Sequence, residues 1–275
     1  MKRIDLSLIR HVALDMDGTI YRGTTLFEFT PAFLARLAEL GIGCTFLTNN
    51  SSKSVKDYLA HLRRMGIEAR AEQMYTSALA TIDYLKKSLP EVRRLFVLGT
   101  ASLKGEFREA GFTVVETEEP DAVVVGYDTE LTFERLCTAA WHITRGRPFI
   151  ATHPDAVCPT DRPTVLVDCG SLCACLRHAT GRAPMAVLGK PDLRMLTGIL
   201  ERHYLQPHEL AMVGDRIYTD IAMAHRAGAV GVLVLTGEAT AEDAARCPEP
   251  PDLIVRSLKK LGELLSEAKE AKCLP

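Results

Sequence analysis

Short apolar runs with the length of β-strands alternate with segments of helical periodicity along most of this chain. Such runs occupy residues 11–14, 43–47, 122–125, 210–213 and 230–235, and polar or charged residues follow several of them. Strands that alternate with helices imply parallel sheets with helices on both faces. In open sheets of this kind, ligands bind at the carboxyl ends of the strands. The pattern therefore predicts an α/β fold with a doubly wound parallel sheet, and candidate functional residues just after its strands.

The composition argues against several classes of function. Of the 275 residues, 47% are hydrophobic and 25% are charged, which is ordinary for a globular protein. The formal net charge of −2 provides no basic excess, so we expect no nucleic-acid polymer as a partner. No apolar run reaches the roughly 18 residues that a membrane span needs, so we expect no membrane association. Since no secretory signal is recognisable, we expect a cytoplasmic protein with reduced cysteines.

The middle of the chain holds a second set of alternating strands and helices. No linker rich in Pro, Gly or Ser separates two halves of the sequence. A second domain is therefore expected to be inserted rather than appended. We expect residues 1–77 and 188–275 to form one α/β core, and residues 78–187 to form an inserted α/β domain.

The first polar cluster is Asp15-Met16-Asp17-Gly18-Thr19, directly after a predicted strand. Two carboxylates so close together raise each other's pKa unless a cation shares them. Mg²⁺ prefers carboxylate oxygens together with a substrate phosphate. The alternative is an Asx-type turn that closes the strand, and these residues alone do not decide between the two.

Two further clusters offer groups that suit a phosphate. Thr48-Asn49-Asn50-Ser51 places a hydroxyl and backbone N–H groups before a helix, although an ordinary loop has the same composition. Lys190, between Gly189 and Pro191, could place its ammonium on a phosphate, although a solvated surface lysine would look the same.

The fourth cluster contains Asp215 and Asp220. Asp215 follows Gly214 at the end of an apolar strand, where a structural role offers no explanation for a carboxylate. Asp220 follows five residues later at a helix start, where the helix dipole alone would favour an acidic residue.

In these four clusters the chain resembles the haloacid dehalogenase superfamily of aspartyl-phosphate hydrolases. The matching motifs span most of the sequence: Asp15-x-Asp17-Gly18-Thr19, Thr48-Asn49-Asn50-Ser51, Lys190 and Gly214-Asp215-x-x-x-Thr219-Asp220. The interval of residues 78–187 resembles the large α/β cap domain of the branch with NagD-type nucleotide phosphatases and 4-nitrophenyl phosphatases. His153 departs from the asparagine that many members of this branch have.

The resemblance implies a role for each aspartate. Asp15 would be the nucleophile that forms an aspartyl phosphate. Asp17 would protonate the leaving oxygen and then deprotonate the attacking water. Mg²⁺ would be held by Asp15, by Asp17 through its carbonyl and by Asp215, with Asp220 supporting the metal or its waters.

The same resemblance implies the phosphate-binding residues. Thr48 and the N–H groups of Asn49 and Asn50 would take phosphoryl oxygens. Lys190 would hold both Asp15 and a phosphoryl oxygen.

In the cap, the resemblance points to a substrate loop. His153, Asp155, Asp168 and Ser171 are the candidates for contact with the leaving group. A loop turn at His153–Asp155 and a helix N-cap at Gly170 or Ser171 are the equal alternatives.

Two other features of the middle segment have structural interpretations. Cys169, Cys173 and Cys175 could hold zinc, but their spacing is not Cys-x-x-Cys, and buried reduced thiols are the favoured interpretation. Trp141, the single tryptophan, is expected to pack in the core from a helix over residues 133–145.

The sequence thus predicts a Mg²⁺-dependent phosphatase for a small phosphorylated metabolite. Sugar phosphates, nucleotides, phosphoglycolate and pyridoxal phosphate are all open as substrates. A phosphotransferase and a non-catalytic protein that binds a phosphorylated ligand are the alternatives. A homodimer through the cap is a further expectation from the resemblance.

Overall fold

The computed structural model describes residues 4–160 and 163–273, and strands alternate with helices along both ranges. The strands are β1 (His11–Asp15), β2 (Tyr21–Arg22), β3 (Thr25–Leu26), β4 (Gly43–Thr48), β5 (Met74–Thr76), β6 (Arg94–Leu98), β7 (Thr113–Val115), β8 (Ala122–Val125), β9 (Phe149–Ala151), β10 (Val157–Cys158), β11 (Leu166–Val167), β12 (Ala186–Val187), β13 (Leu210–Gly214), β14 (Val230–Val234) and β15 (Leu253–Val255).

The helices are α1 (Thr30–Glu39), α2 (Val55–Arg64), α3 (Ser77–Ser88), α4 (Ala101–Glu109), α5 (Phe133–Thr144), α6 (Cys169–Thr180), α7 (Arg194–His203), α8 (Ala222–Ala227), α9 (Ala241–Arg246) and α10 (Leu258–Cys273). Short 3₁₀ turns lie at Leu6–Leu8, Ala71–Gln73 and Pro207–Glu209, and a π-helical turn at Ile217–Ile221 precedes α8. The predicted α/β class is confirmed.

The chain divides into two compact units. The first comprises the described residues up to Leu47, Leu62–Met74 and those from Leu196 onwards. The second comprises Thr48–His61 and Tyr75–Met195. The domain boundaries expected from the sequence, after residues 77 and 187, stay a prediction.

The sheet of the first unit has the strand order β15-β14-β13-β1-β4-β5. The pairs β1–β13, β1–β4, β13–β14 and β14–β15 are parallel. Every residue of β1 and β13 is buried, as expected for central strands that are covered on both faces. Leu14 is in register with Val213, so Asp15 and Asp215 leave neighbouring strands at the same edge of the sheet.

The sheet of the second unit has the order β12-β9-β8-β6-β7 with parallel pairs throughout the described residues. Alternate residues of its strands point to opposite faces. Leu95 and Val97 of β6 pack with residues of α3 and α4, whereas Phe96 and Leu98 pack with residues of α5 and α6. Burying both faces explains why these strands are continuous apolar runs.

Two predictions of local structure are wrong. The N-cap of α6 is Asp168, whose carboxylate accepts the N–H of Cys169, so neither Gly170 nor Ser171 caps this helix. Trp141 does not pack in the core, since 59% of its surface is exposed. The buried side of α5 is formed by Ala139, His142 and Ile143, and Trp141 lies off that stripe.

Within the described residues, no helix is both long enough and apolar enough to cross a membrane.

Candidate active site

Three buried carboxylates meet at the carboxyl edge of the first unit's sheet. Asp15 is the last residue of β1, Asp215 follows β13, and Asp220 lies in the π-helical turn. Each offers one oxygen that lies within 4.8 Å of the corresponding oxygens of the other two. Asp15, Asp215 and Asp220 are all buried. Three acidic groups this close in a place that water scarcely reaches repel one another unless a cation or protons neutralise them.

The pKa values of the neighbouring acids reflect this crowding. Burial raises the pKa of Asp215 to about 7, the charges of Asp15 and Asp220 add to the rise, and the backbone N–H of Glu238 opposes it. Partial desolvation also raises the pKa of Asp17, although this residue is exposed at the surface, and the N–H of Gly23 opposes the rise. An acid with a raised pKa retains its proton nearer to neutral pH, which is what a general acid needs.

Two glycines make room for the Asp215 carboxylate. Gly18 has φ +89°, in the left-handed region, and a Cβ atom there would lie 2.4 Å from the Asp215 Oδ2 atom. A Cβ atom on Gly237 would lie only 1.9 Å from the same oxygen. The hydroxyl of Thr236 donates to the carbonyl of Gly18 at 2.6 Å, which ties these two glycine-containing segments together. Only glycine fits at both positions.

In the second unit, the Asn49 side chain fixes the backbone at Lys190. The Asn49 amide nitrogen donates to the Lys190 carbonyl at 3.0 Å, and the Lys190 N–H donates to the Asn49 Oδ1 atom at 2.6 Å. The same amide nitrogen lies 3.2 Å from both oxygens of Asp155. Asn49 and Lys190 are buried. A fixed backbone at Lys190 restricts where its ammonium can reach.

The other residues of the Thr48 cluster form a compact turn. The Thr48 hydroxyl accepts the N–H of Asn50 at 3.2 Å. The Asn50 Oδ1 atom accepts both the N–H and the hydroxyl of Ser52. The structure therefore gives Asn50 a role in shaping this loop, and its expected role in phosphate binding stays a prediction.

His153 lies between two carboxylates of the second unit. Its Nδ1 atom is 3.6 Å from the Asp155 Oδ2 atom, and its Nε2 atom is 3.4 Å from the Asp168 Oδ1 atom. His153 is wholly buried, which lowers the pKa of its imidazole to about 4. Burial raises the pKa of Asp168 to about 7, partly offset by the Cys169 N–H. The imidazole is therefore uncharged at neutral pH, and neither of its buried ring nitrogens has a hydrogen-bond partner among the described residues.

The remaining substrate-loop candidate, Ser171, donates its hydroxyl to the Ala156 carbonyl at 2.7 Å. His153, Asp155 and Asp168 are thus brought together, while Ser171 is engaged with the backbone nearby. Contact of these four residues with a leaving group stays a prediction.

The cysteines form no metal site within the described part of the chain. The two groups of described residues that could hold a metal ion contain no cysteine. Cys169 and Cys173 are buried, and the Cys169 thiol donates to the Val125 carbonyl at 3.2 Å. The Cys173 thiol contacts that of Cys169 and is buried, and both effects raise the pKa of Cys173, which keeps its thiol protonated. These are core thiols.

The segment that packs on Asp215 was not predicted from the sequence. The backbone N–H of Glu238 donates to the Asp215 Oδ2 atom at 2.7 Å, and Arg216 forms an ion pair with the Glu238 carboxylate at 2.9 Å. The available signal was position: Thr236-Gly237-Glu238 follows β14, a neighbour of β13, and so reaches the same sheet edge.

Comparison with known proteins gives matches across nearly all of the chain. Residues 12–113 match a family of haloacid dehalogenase-like hydrolases, and residues 187–261 match one described as HAD-hydrolase-like. An acid sugar phosphatase of Staphylococcus aureus is 35% identical over 254 residues, which make up 92% of this chain and 96% of that protein.

Solved structures are similar over the same length. The 4-nitrophenylphosphatase from Thermotoga maritima has a TM-score of 0.89 and 39% identity, and the match covers 95% of this chain and 99% of that one. The glycerol phosphate phosphatase from Mycobacterium tuberculosis, in complex with magnesium, has a TM-score of 0.86 and 32% identity, with 95% of this chain and 79% of that chain covered.

Proposed function

The chain belongs to the haloacid dehalogenase-like hydrolases, as a phosphatase of their NagD-type branch, and from this premise we propose that it hydrolyses a small phosphorylated metabolite with the help of Mg²⁺. The proposal includes an aspartyl-phosphate intermediate on Asp15. The observation that carries it is the buried cluster of Asp15, Asp215 and Asp220 beside Asp17.

The donor set of this cluster fits Mg²⁺. The ion prefers carboxylate oxygens, and the buried Asp215 Oδ1 atom has no hydrogen-bond partner among the described residues. We assign Asp15, the Asp17 carbonyl and Asp215 as the residues that would hold the ion, with Asp220 in support. When bound, Mg²⁺ neutralises the charge of the carboxylate and the phosphate, which otherwise repel each other.

The proposed reaction has two halves. A carboxylate oxygen of Asp15 attacks phosphorus, the bond to the leaving oxygen breaks, and Asp17 donates a proton to that oxygen. Water then attacks the phosphorus of the aspartyl phosphate while Asp17 accepts a proton, which releases phosphate and restores Asp15. The raised pKa of Asp17 supports its assignment as the acid.

For phosphate binding we propose Thr48, the N–H groups of Asn49 and Asn50, and Lys190. The burial of Lys190 and its fixed backbone support its part, because a side chain that is already confined loses little freedom when its ammonium meets a phosphoryl oxygen.

The relatives suggest substrates without deciding among them. One is named for acid sugar phosphatase activity, one for 4-nitrophenyl phosphate and one for glycerol phosphate. We therefore propose phosphate monoesters of small metabolites as the substrate class, with sugar phosphates first in the panel to be tested. A phosphotransferase would share the first half-reaction, and acceptor alcohols in the assay would reveal it through a new phosphate ester.

The test is phosphate release from a panel of phosphorylated metabolites with and without Mg²⁺. Asp15→Asn should abolish release, while the control Glu242→Gln should not, because Glu242 is an exposed residue of α9. Release by Asp15→Asn at the parent rate would refute the assigned nucleophile. Release with excess chelator at the parent rate would refute the metal.

We also propose a cytoplasmic location and a homodimer through the cap domain expected at residues 78–187. The exposed Phe133 and Trp141 on α5 support such an interface, because apolar side chains of this size gain from burial. Light scattering at several concentrations tests the dimer.

A further inference from the structure

A short turn at Thr236–Ala239 wraps around Asp215. The Glu238 N–H donates to the Asp215 Oδ2 atom at 2.7 Å, and the Ala239 N–H donates to the Asp215 carbonyl at 3.0 Å. Gly237 lies so close that no side chain would fit there. The turn therefore holds both the side chain and the backbone of Asp215.

The residues just after Asp215 hold this turn in return. Arg216 places its Nε atom 2.9 Å from the Glu238 Oε2 atom, and the Tyr218 hydroxyl donates to the Glu238 Oε1 atom at 2.8 Å. A second attachment comes from Arg22, whose guanidinium donates to the Thr236 carbonyl at 2.6 Å. Asp215, Arg216 and Glu238 thereby form a closed loop of contacts.

This arrangement places the two carboxylate oxygens of Asp215 in different surroundings. The Oδ2 atom is held by the turn, while the Oδ1 atom is buried and accepts no hydrogen bond within the described ranges. A carboxylate with one oxygen fixed can rotate little, so its other oxygen is pre-positioned for a ligand.

We propose that Arg216 and Glu238 form a positioning pair that sets the affinity of the Asp215 site for a divalent cation. Neither residue needs to touch the cation. Their contact holds the turn on Asp215, and the turn orients the carboxylate. The inference rests on the proposed function, since it takes Asp215 as a ligand of Mg²⁺.

Simple electrostatics makes a different prediction. The Arg216 guanidinium interacts with the charges of Asp15, Asp17 and Asp215. If charge alone mattered, loss of this cation would strengthen the binding of Mg²⁺, and loss of the Glu238 carboxylate would weaken it. If positioning matters, both losses weaken binding. The sign of the Arg216 effect therefore separates the two explanations.

The test is calorimetric titration of the full chain with MgCl₂ alone, without substrate. Arg216→Met and Glu238→Ala should each weaken Mg²⁺ binding by about three- to tenfold. We expect an effect of this modest size because both side chains are partly exposed to solvent, which weakens their ion pair. The double variant should bind no more weakly than the weaker single variant, because the two act as a unit. Glu242→Ala, which removes an exposed carboxylate four residues after Glu238 in the sequence, should bind as the parent does.

Three further measurements exclude a merely structural effect. Melting without Mg²⁺ shows whether the variants are folded, and Arg216→Lys, which keeps the charge, should restore part of the affinity. At saturating Mg²⁺, kcat of Glu238→Ala should lie within about twofold of the parent, while the Mg²⁺ concentration for half-maximal rate rises in step with the dissociation constant.

Each outcome has one meaning. Unchanged or tighter Mg²⁺ binding by Arg216→Met overturns the proposal of a positioning pair. The proposal also fails if the double variant weakens Mg²⁺ binding by the product of the two single effects. If the parent itself binds no Mg²⁺ in the titration, the proposed metal-dependent function fails instead.

Discussion

Asp168→Asn should stabilise the protein at alkaline pH. Asp168 is buried, caps α6 through the Cys169 N–H at 2.6 Å and faces His153. Burial raises the pKa of its carboxyl from 3.8 to about 7. Since one pKa unit corresponds to about 1.4 kcal/mol, the ionised carboxylate costs the folded state at most about 4 kcal/mol.

The direction in which stability changes with pH follows from the pKa values of Asp168 in the unfolded and the folded chain. In the unfolded chain the carboxyl ionises near its ordinary pKa of 3.8, whereas in the folded chain it keeps its proton until about pH 7. Stability is therefore lost as the pH rises from about 4 to above 7. Asparagine does not titrate and also caps helices well. Because the fold relaxes around a buried charge, we expect a gain of about 1–2 kcal/mol at pH 8 rather than the full amount.

Thermal melting by circular dichroism measures this effect. The difference in melting temperature between Asp168→Asn and the parent should increase by about 2–6 °C in favour of the variant from pH 4.5 to pH 8. Asp121→Asn is the matched control: burial raises the pKa of Asp121, but the N–H groups of Arg94 and Arg93 outweigh it and lower the pKa overall. That variant should be destabilised by a nearly constant amount over the same range. If the difference in melting temperature between Asp168→Asn and the parent does not change with pH, ionisation of Asp168 does not destabilise the folded protein, and the prediction fails.

Three other predictions test the site and the fold. Asp17→Asn should reduce kcat/KM, which reports formation of the aspartyl phosphate, by about 10²–10⁴-fold on alkyl phosphates but far less on 4-nitrophenyl phosphate, whose leaving group needs no proton; equal losses of kcat/KM on both would argue against a general acid. Gly18→Ala should lower stability by about 2–4 kcal/mol in denaturant titration, because its φ of +89° and the Asp215 Oδ2 atom 2.4 Å away both oppose a Cβ atom. At protein concentrations where light scattering shows a monomer, Trp141→Ala should shift the melting temperature by no more than about 2 °C, whereas Phe107→Ala, in the core, should cost about 3–5 kcal/mol.

The parts of the fold that were predictable are those with a local physical signal. Buried parallel strands must be apolar along their whole length, so β1 and β13 could be placed from the sequence within a residue of their observed bounds. Since parallel strands end at one edge, Asp15 and Asp215 could be expected there together. Their catalytic roles stay predictions.

What was not predictable depends on distant contacts. We expected Trp141 in the core because of its spacing in the predicted helix, but the buried stripe of α5 runs through Ala139 and Ile143 and excludes it. The Glu238 turn has the sequence of an ordinary loop, and only the sheet brings it against Asp215. Likewise, His153 could be named as a polar residue after a strand, but not as one enclosed between Asp155 and Asp168.

The crowding around Asp215 bears on how mutational data for this protein should be interpreted. Gly18 and Gly237 supply no chemical group, yet any side chain at either position would occupy the space of a buried carboxylate. In a complete substitution scan for activity, these two positions would score as intolerant as the aspartates themselves. Intolerance at this edge of the sheet therefore marks the space that Asp215 requires as well as the groups that react, and it cannot by itself identify a catalytic residue.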